Sequence, residues 1–296
     1  MKPDRRSPSK QRCVAAVGYV LLAVGLTWSR SAWADEFGDA VKRGDTPSVT
    51  AALATEPALA TQADRNCHTP LHWAAAGNYP DIVQALIEKN AAVSTKDGFG
   101  YTPLHWAADA GALKTAELLR AKGADAKARA LNQQTPLHRA AYGGHGRMVE
   151  WLLACGAEVA ATDYREFTPL HYATSRETAA ALLAKGANIN ARPNTYSMTP
   201  LAAAAQRGNA EVVAFLLENG ADASLADDMV FTPLHWAAWA GSKETVKLLL
   251  PKTPHWNGVD HSGWTARDWA ACRGYADVVE VLIGWEQQQK KMKGIL

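Results

Sequence analysis

The chain has 296 residues, 48% of them hydrophobic and 20% charged, a balance that belongs to folded rather than disordered chains. The formal net charge of +2 is unevenly spread: residues 1–34 carry six basic residues against one acid, which leaves 25 basic against 28 acidic residues, or −3, in the remainder. A mildly acidic remainder without a basic stripe excludes nucleic acid as the expected partner.

Met1–Arg12 is a basic stretch, Cys13–Trp28 is an uncharged apolar run, and Ala32-Trp33-Ala34 offers a small-x-small pattern. Together they predict a signal peptide over 1–34, cut after Ala34. An uncleaved anchor is the alternative, but the run is shorter than the ~20 residues that span a bilayer, and Gly18 and Gly25 interrupt it. No later segment is long and apolar enough to span, so no membrane contact is expected after cleavage.

The rest of the chain repeats. Thr-Pro-Leu-His occurs at Thr69–His72, Thr102–His105, Thr135–His138, Thr168–His171 and Thr232–His235; Thr199–Ala202 lacks the His, and Thr265–Asp268 is a decayed copy. Successive threonines step by 33, except that the step from Thr168 to Thr199 is 31. Small pairs such as Ala74-Ala75 and Ala107-Ala108 follow, then a glycine, then a Leu-Leu-type pair such as Leu118-Leu119, and a closing Gly at Gly123, Gly156, Gly186 and Gly220, with Asn90 in its place once. Each feature has a physical use. Thr caps a helix start. Pro at the first helical position gives up no needed donor. Leu anchors the helix, the Ala pair lets helices approach, and Gly or Asn takes the left-handed turn that stops one.

These motifs resemble the ankyrin-repeat family over about residues 35–286. The resemblance implies an all-α solenoid of about eight helix–turn–helix units joined by β-turn fingers. The first unit (35–60) and last unit (259–286) are degenerate caps, and 287–296 reads as a polar tail. The short step after Thr168 predicts a shorter first helix or a tighter helix turn in the fifth unit, and 194–197 an unusual finger.

The TPLH histidines sit in different units, roughly 8–10 Å apart at helix-packing distance, and cannot share an ion whose ligands lie at about 2 Å. They are expected to tie fingers by hydrogen bonds. Asp125 and Asp163 read as solvated finger residues. Three cysteines would remain after cleavage (Cys67, Cys155, Cys272), too scattered for a disulfide framework. No nucleophile elbow, Walker loop, dinucleotide fingerprint or zinc motif occurs. No catalytic residue, metal or cofactor is therefore expected.

What remains is a surface. Members of the family bind proteins in the groove between fingers and first helices. The position before each Thr gives His68, Tyr101, Gln134, Phe167, Met198, Phe231 and Trp264, and is expected to be exposed by analogy. Seven past Thr gives Ala76, Asp109, Tyr142, Ser175, Gln206, Trp239 and Cys272, also groove-facing. Tyr101, Phe167, Met198, Phe231, Trp264, Tyr142 and Trp239 are accordingly the candidate partner-binding residues, since aromatic anchors carry much of the energy of interfaces. A third row, four past Thr (Trp73, Trp106, Arg139, Tyr172, Ala203, Trp236, Trp269), reads as a packing ladder. The function expected is a monomeric, non-catalytic scaffold in the periplasm that binds another protein. The alternatives are a secreted factor acting on another cell's proteins, or an enzyme or small-molecule binder using the Trp-rich groove.

Overall fold

A computed structural model describes residues 30–294; the expected leader, up to residue 29, lies outside the described residues. Among the described residues, sixteen α-helices fall into eight antiparallel pairs. The pairs are α1 (Arg30–Arg43) with α2 (Thr46–Thr55), α3 (Pro70–Ala76) with α4 (Pro80–Glu88), and α5 (Pro103–Asp109) with α6 (Leu113–Ala121). Then come α7 (Pro136–Gly143) with α8 (Gly146–Ala154), α9 (Pro169–Tyr172) with α10 (Arg176–Ala184), and α11 (Pro200–Gln206) with α12 (Ala210–Glu218). The last two are α13 (Pro233–Ala240) with α14 (Lys243–Leu249), and α15 (Ala266–Cys272) with α16 (Ala276–Met292). No strand occurs among the described residues.

Most of these helices have seven to nine residues, too few to hold together alone in water. Stacking supplies what propensity does not. The Thr-Pro-Leu leucines Leu71, Leu104, Leu137, Leu170, Leu201 and Leu234 are fully buried, as are the Ala pairs beside them. The second helices add Leu86, Leu119, Leu152, Leu182, Leu216 and Leu249 to one continuous core. Each unit thus buries its apolar faces only against its neighbours, the arrangement of a solenoid.

The fifth unit is shortened where the short step predicts it. Helix α9 has four residues, and Ser175 then caps α10 by accepting the Thr178 amide. Asn90 takes the left-handed turn that glycine takes elsewhere (φ 67°), and Asn78 does so after Gly77 (φ 56°). The polar stretch from Gln287 is no separate tail. It continues α16 through Met292, with Lys290 paired to Glu286 at 2.7 Å one helical turn away. Helix α1 begins at Arg30, so the expected cut after Ala34 falls within it.

Candidate functional site

The first helices and the fingers line one concave face. Its framework is a set of buried histidines. In five units the His Nδ1 accepts the amide of its own Thr (3.0–3.3 Å) and contacts its hydroxyl (2.8–2.9 Å). Nδ1 is therefore the unprotonated nitrogen, and Nε2–H faces the next finger. It donates to the carbonyl of Tyr101 from His72, of Gln134 from His105, of Phe167 from His138 and of Met198 from His171, at 2.9–3.1 Å. Burial pushes His105, His138 and His171 down to about 4, and lowers His72 and His235 as well. A neutral ring held on both nitrogens is a structural tie. Among the described residues, no group of three or more metal-ligating side chains comes together.

A carboxylate fixes each regular finger. One oxygen of Asp97 accepts the amides of Phe99 and Tyr101, and the other accepts the Trp106 indole, all at 2.9 Å. Asp227 does the same with Trp236 (2.9 Å), Asp260 with Trp269 (2.7 Å), and Asp163 with the Tyr172 hydroxyl (2.6 Å). Asp163 is thus not the solvated residue its sequence context implies: only 4% of it is exposed. The third row, four past Thr, is the latch partner of these carboxylates. Asp64 holds its finger amides in the same way, but its other oxygen meets the His68 ring. In two further units the latch residues themselves are missing. There Ala130 and Asn194 replace the Asp, and Arg139 and Ala203 replace the aromatic residue.

The row before each Thr needs correction. Met198 and Phe231 are buried, at 7% and 5% exposure, and Tyr101 and Phe167 are half-buried. Only Trp264 of the five is exposed. For Phe231 and Phe167 the reason is a staple between the residue before a helix cap and the fourth residue of the helix. Phe231 packs on Trp236 with ring centroids 5.0 Å apart, Trp264 on Trp269 at 4.9 Å, and Phe167 reaches Tyr172 at 6.1 Å. Phe231 also meets Trp269 of the next unit at 5.3 Å. The Tyr101 hydroxyl is spent between Gln134 (2.9 Å) and Asn132 (2.7 Å).

The seven-past-Thr row stays accessible. Tyr142 is half exposed and Trp239 half-buried. Arginines join them. The Arg139 guanidinium lies 5.4 Å from the Tyr101 ring and 5.1 Å from the Tyr142 ring, and pairs with Asp109 at 2.8 Å. Arg273 lies 4.4 Å over the Trp239 ring. Tyr101, Trp106, Asp109 and Arg139 also wall a recess of about 300 Å³.

The structure reveals a further exposed row, at the fingertips: Phe99, Leu131, Tyr164, Tyr196 and Met229, each more than half exposed. Neighbouring tips are joined through main-chain bonds, such as Leu131 N–H to Phe99 O at 3.0 Å and Tyr164 N–H to Asn132 O at 3.0 Å. The backbone explains the row, and in the sequence only Gly100 and Gly263 hint at it. The residue two before every Thr has positive φ (Cys67, Gly100, Gln133, Glu166, Ser197, Val230, Gly263), so the residues just ahead of it are at the turn and point outward.

Stacked helix pairs, latched fingers and one open face define a helical-repeat scaffold. The chain belongs to the ankyrin-repeat family: the family model for ankyrin repeats (3 copies) matches residues 37–130, 122–193 and 201–293, and that for ankyrin repeats (many copies) matches 176–217. Such repeats generally mediate protein–protein interaction, and domains built from them are typically non-catalytic. The crystal structure of the human ASB11 ankyrin repeat domain is similar, with a TM-score of 0.64 and 28% identity over 74% of this chain and 98% of that one. No curated protein matches the chain.

Proposed function

We propose that the chain is an exported, non-catalytic scaffold that holds a partner protein along its concave face. The observation that carries this is the accessible aromatic and arginine row of Tyr142, Arg139, Trp239 and Arg273, of which Tyr142 and Arg139 sit on α7, the helix that His138 ties to the next finger. Tyr, Trp and Arg are the residue types that dominate interface energies. Rigid mounting lowers the ordering cost of binding. The net negative charge from Asp35 onward favours a protein over a nucleic acid.

The basic stretch, the apolar run and the Ala-Trp-Ala pattern support export, with the bacterial periplasm as destination and onward secretion as the variant reading. Cleavage after Ala34 would leave residues 35–43 of α1 to cap the stack.

Affinity capture from the periplasmic fraction tests the binding face. A Tyr142→Ser, Trp239→Ser double variant should keep its circular dichroism and lose its partner; capture equal to wild type would remove the concave face from the reading. Mass spectrometry of the exported chain should find Asp35 first, and a retained leader would make the protein an anchored one.

A further inference from the structure

The concave face holds more positive charge than its surroundings balance. Arg139 is neutralised by Asp109. Arg207 and Arg273 are not. Among the described residues, neither has a carboxylate within ion-pairing distance. Arg207 donates to the Ala173 carbonyl at 3.2 Å; the protein packed around its guanidinium lowers its pKa, and the Tyr172 and Tyr142 hydroxyls act against that shift. Arg273 stacks on Trp239 and lies 5.7 Å from the Tyr275 ring, whose hydroxyl it reaches at 3.4 Å. Both stand eight residues past their Thr, at the mouth end of a first helix, and both are exposed. The finger carboxylates of the last two units, Asp227 and Asp260, are engaged with Trp236 and Trp269.

Stacking on Trp239 holds the Arg273 guanidinium, and the bond to the Ala173 carbonyl holds that of Arg207; neither contact neutralises the charge, and each leaves N–H groups free for a carboxylate. We infer that the C-terminal half of the concave face, from Arg207 past Trp239 to Arg273, takes an extended acidic segment of the protein partner. This rests on the reading of that face as the partner site. The two arginines are two units apart, about 20 Å at 8–10 Å per helix. An extended chain covers that in about six residues at 3.3 Å each, so the segment carries acidic residues about six apart, with apolar or aromatic residues between them over Trp239. The protein's own Met1–Ala34 segment is excluded as occupant by its charge of +5. A nucleic acid would meet only isolated arginines on a domain that is acidic overall.

Selection from a display library of random peptides of about 15 residues, ~50 Å when extended, tests this on the full chain. Wild type should enrich Asp and Glu over the input, and the enriched peptides should bind an Arg207→Gln, Arg273→Gln variant at least tenfold more weakly. Both proteins keep the same basic N-terminus, so the difference reads the groove alone. An Arg207→Lys, Arg273→Lys variant should recover part of the loss. Neutral or basic winners, no enrichment, equal binding to the Gln variant, or displacement of the peptides by a short oligo-dT would each overturn the inference. If the natural partner is lost with Tyr142→Ser, Trp239→Ser but kept with the two Gln substitutions, the scaffold reading stands and the acidic segment falls. If both variants keep the partner, the scaffold reading falls too.

Discussion

The Trp106 indole donates to Asp97 while the other oxygen of that carboxylate holds the Phe99 and Tyr101 amides, so one side chain joins a fingertip to the helix that follows it. The join recurs at Asp163–Tyr172, Asp227–Trp236 and Asp260–Trp269. Where Ala130 replaces the carboxylate the aromatic partner is gone as well, and Arg139 turns instead to Asp109. Acid and aromatic residue are kept or lost together, as expected of a bond that is costly to leave half made.

Removing the acid should therefore be expensive. Asp97→Ala strands two amides and an indole N–H, and should lower the unfolding free energy by about 2–3 kcal/mol, read from urea denaturation. The double change Ala130→Asp, Arg139→Trp should restore the join in the fourth unit. Its stability should exceed the sum of the single effects by about 1 kcal/mol in a double-mutant cycle. Additive behaviour would show that the pairing carries no energy of its own.

The histidines set the acid limit. An unfolded histidine titrates near 6.5, while burial holds His105, His138 and His171 at about 4 in the fold. Between those values the unfolded chain binds more protons. Stability is therefore full above pH 6.5 and falls as pH drops towards 4, by about 1.4 kcal/mol per pH unit for each histidine. The lowered Asp260 and Asp268 carboxyls act only below their ordinary 3.8. Urea midpoints at pH 7, 6 and 5 should fall steadily, and His138→Gln should flatten the fall. A midpoint constant from pH 7 to 5 would mean the rings titrate normally in the fold.

Much of this was legible in the sequence because it repeats. Thr, Pro, Leu, His and the Ala pair recur at fixed spacing, so helix pairs, the buried histidines and the short α9 all followed from counting. Exposure did not. The residue before Thr stands outside the helix, yet the staple to the fourth helical residue turns Phe231 inward between Trp236 and Trp269. That contact joins residues of two units, and no count along one unit exposes it. The Asp–Trp join spans nine positions and was hidden for another reason: in a turn, a capping Asp and a solvated Asp look alike.

Burial separates core from surface among the candidate residues. Phe231→Ser should destabilise the fold by about 3 kcal/mol, the range for emptying a buried aromatic site. Tyr142→Ser should stay within about 0.5 kcal/mol, as surface changes do. Thermal melts of the two variants decide this. Equal melting would return Phe231 to the surface and reopen it as a contact residue.

Val230 holds a left-handed backbone at φ 62°, where the equivalent residues of two other fingers are glycines, Gly100 and Gly263. A β-branched side chain there crowds its own carbonyl, at a cost of about 1–2 kcal/mol. Val230→Gly should recover about 1 kcal/mol after the added freedom of the unfolded chain is subtracted. A lower melting temperature would show that the half-exposed valine side chain contributes more by packing than its backbone loses.

The last junction, like the ones before Thr69 and after Ala202, lacks the histidine tie that joins the four between them. His138 reaches the Phe167 carbonyl at 3.0 Å, but Nε2 of His235 is buried without a partner, although the Gly258 and Trp264 main chains lie near the ring. The following connection also departs from the repeat, with Pro251 in a short 3₁₀ turn, Leu250–Lys252, ahead of the final finger. A histidine that ties nothing ahead of it has less to lose. His235→Ala should cost about 1 kcal/mol less than His138→Ala, the worth of one hydrogen bond. With the coupling weaker, the final pair should open independently, and amides of α15 and α16 should exchange faster than those of α7 and α8. Equal protection along the stack would mean that the side-chain contacts of Trp269 with Phe231 hold the last unit as firmly as the histidine ties hold the fourth.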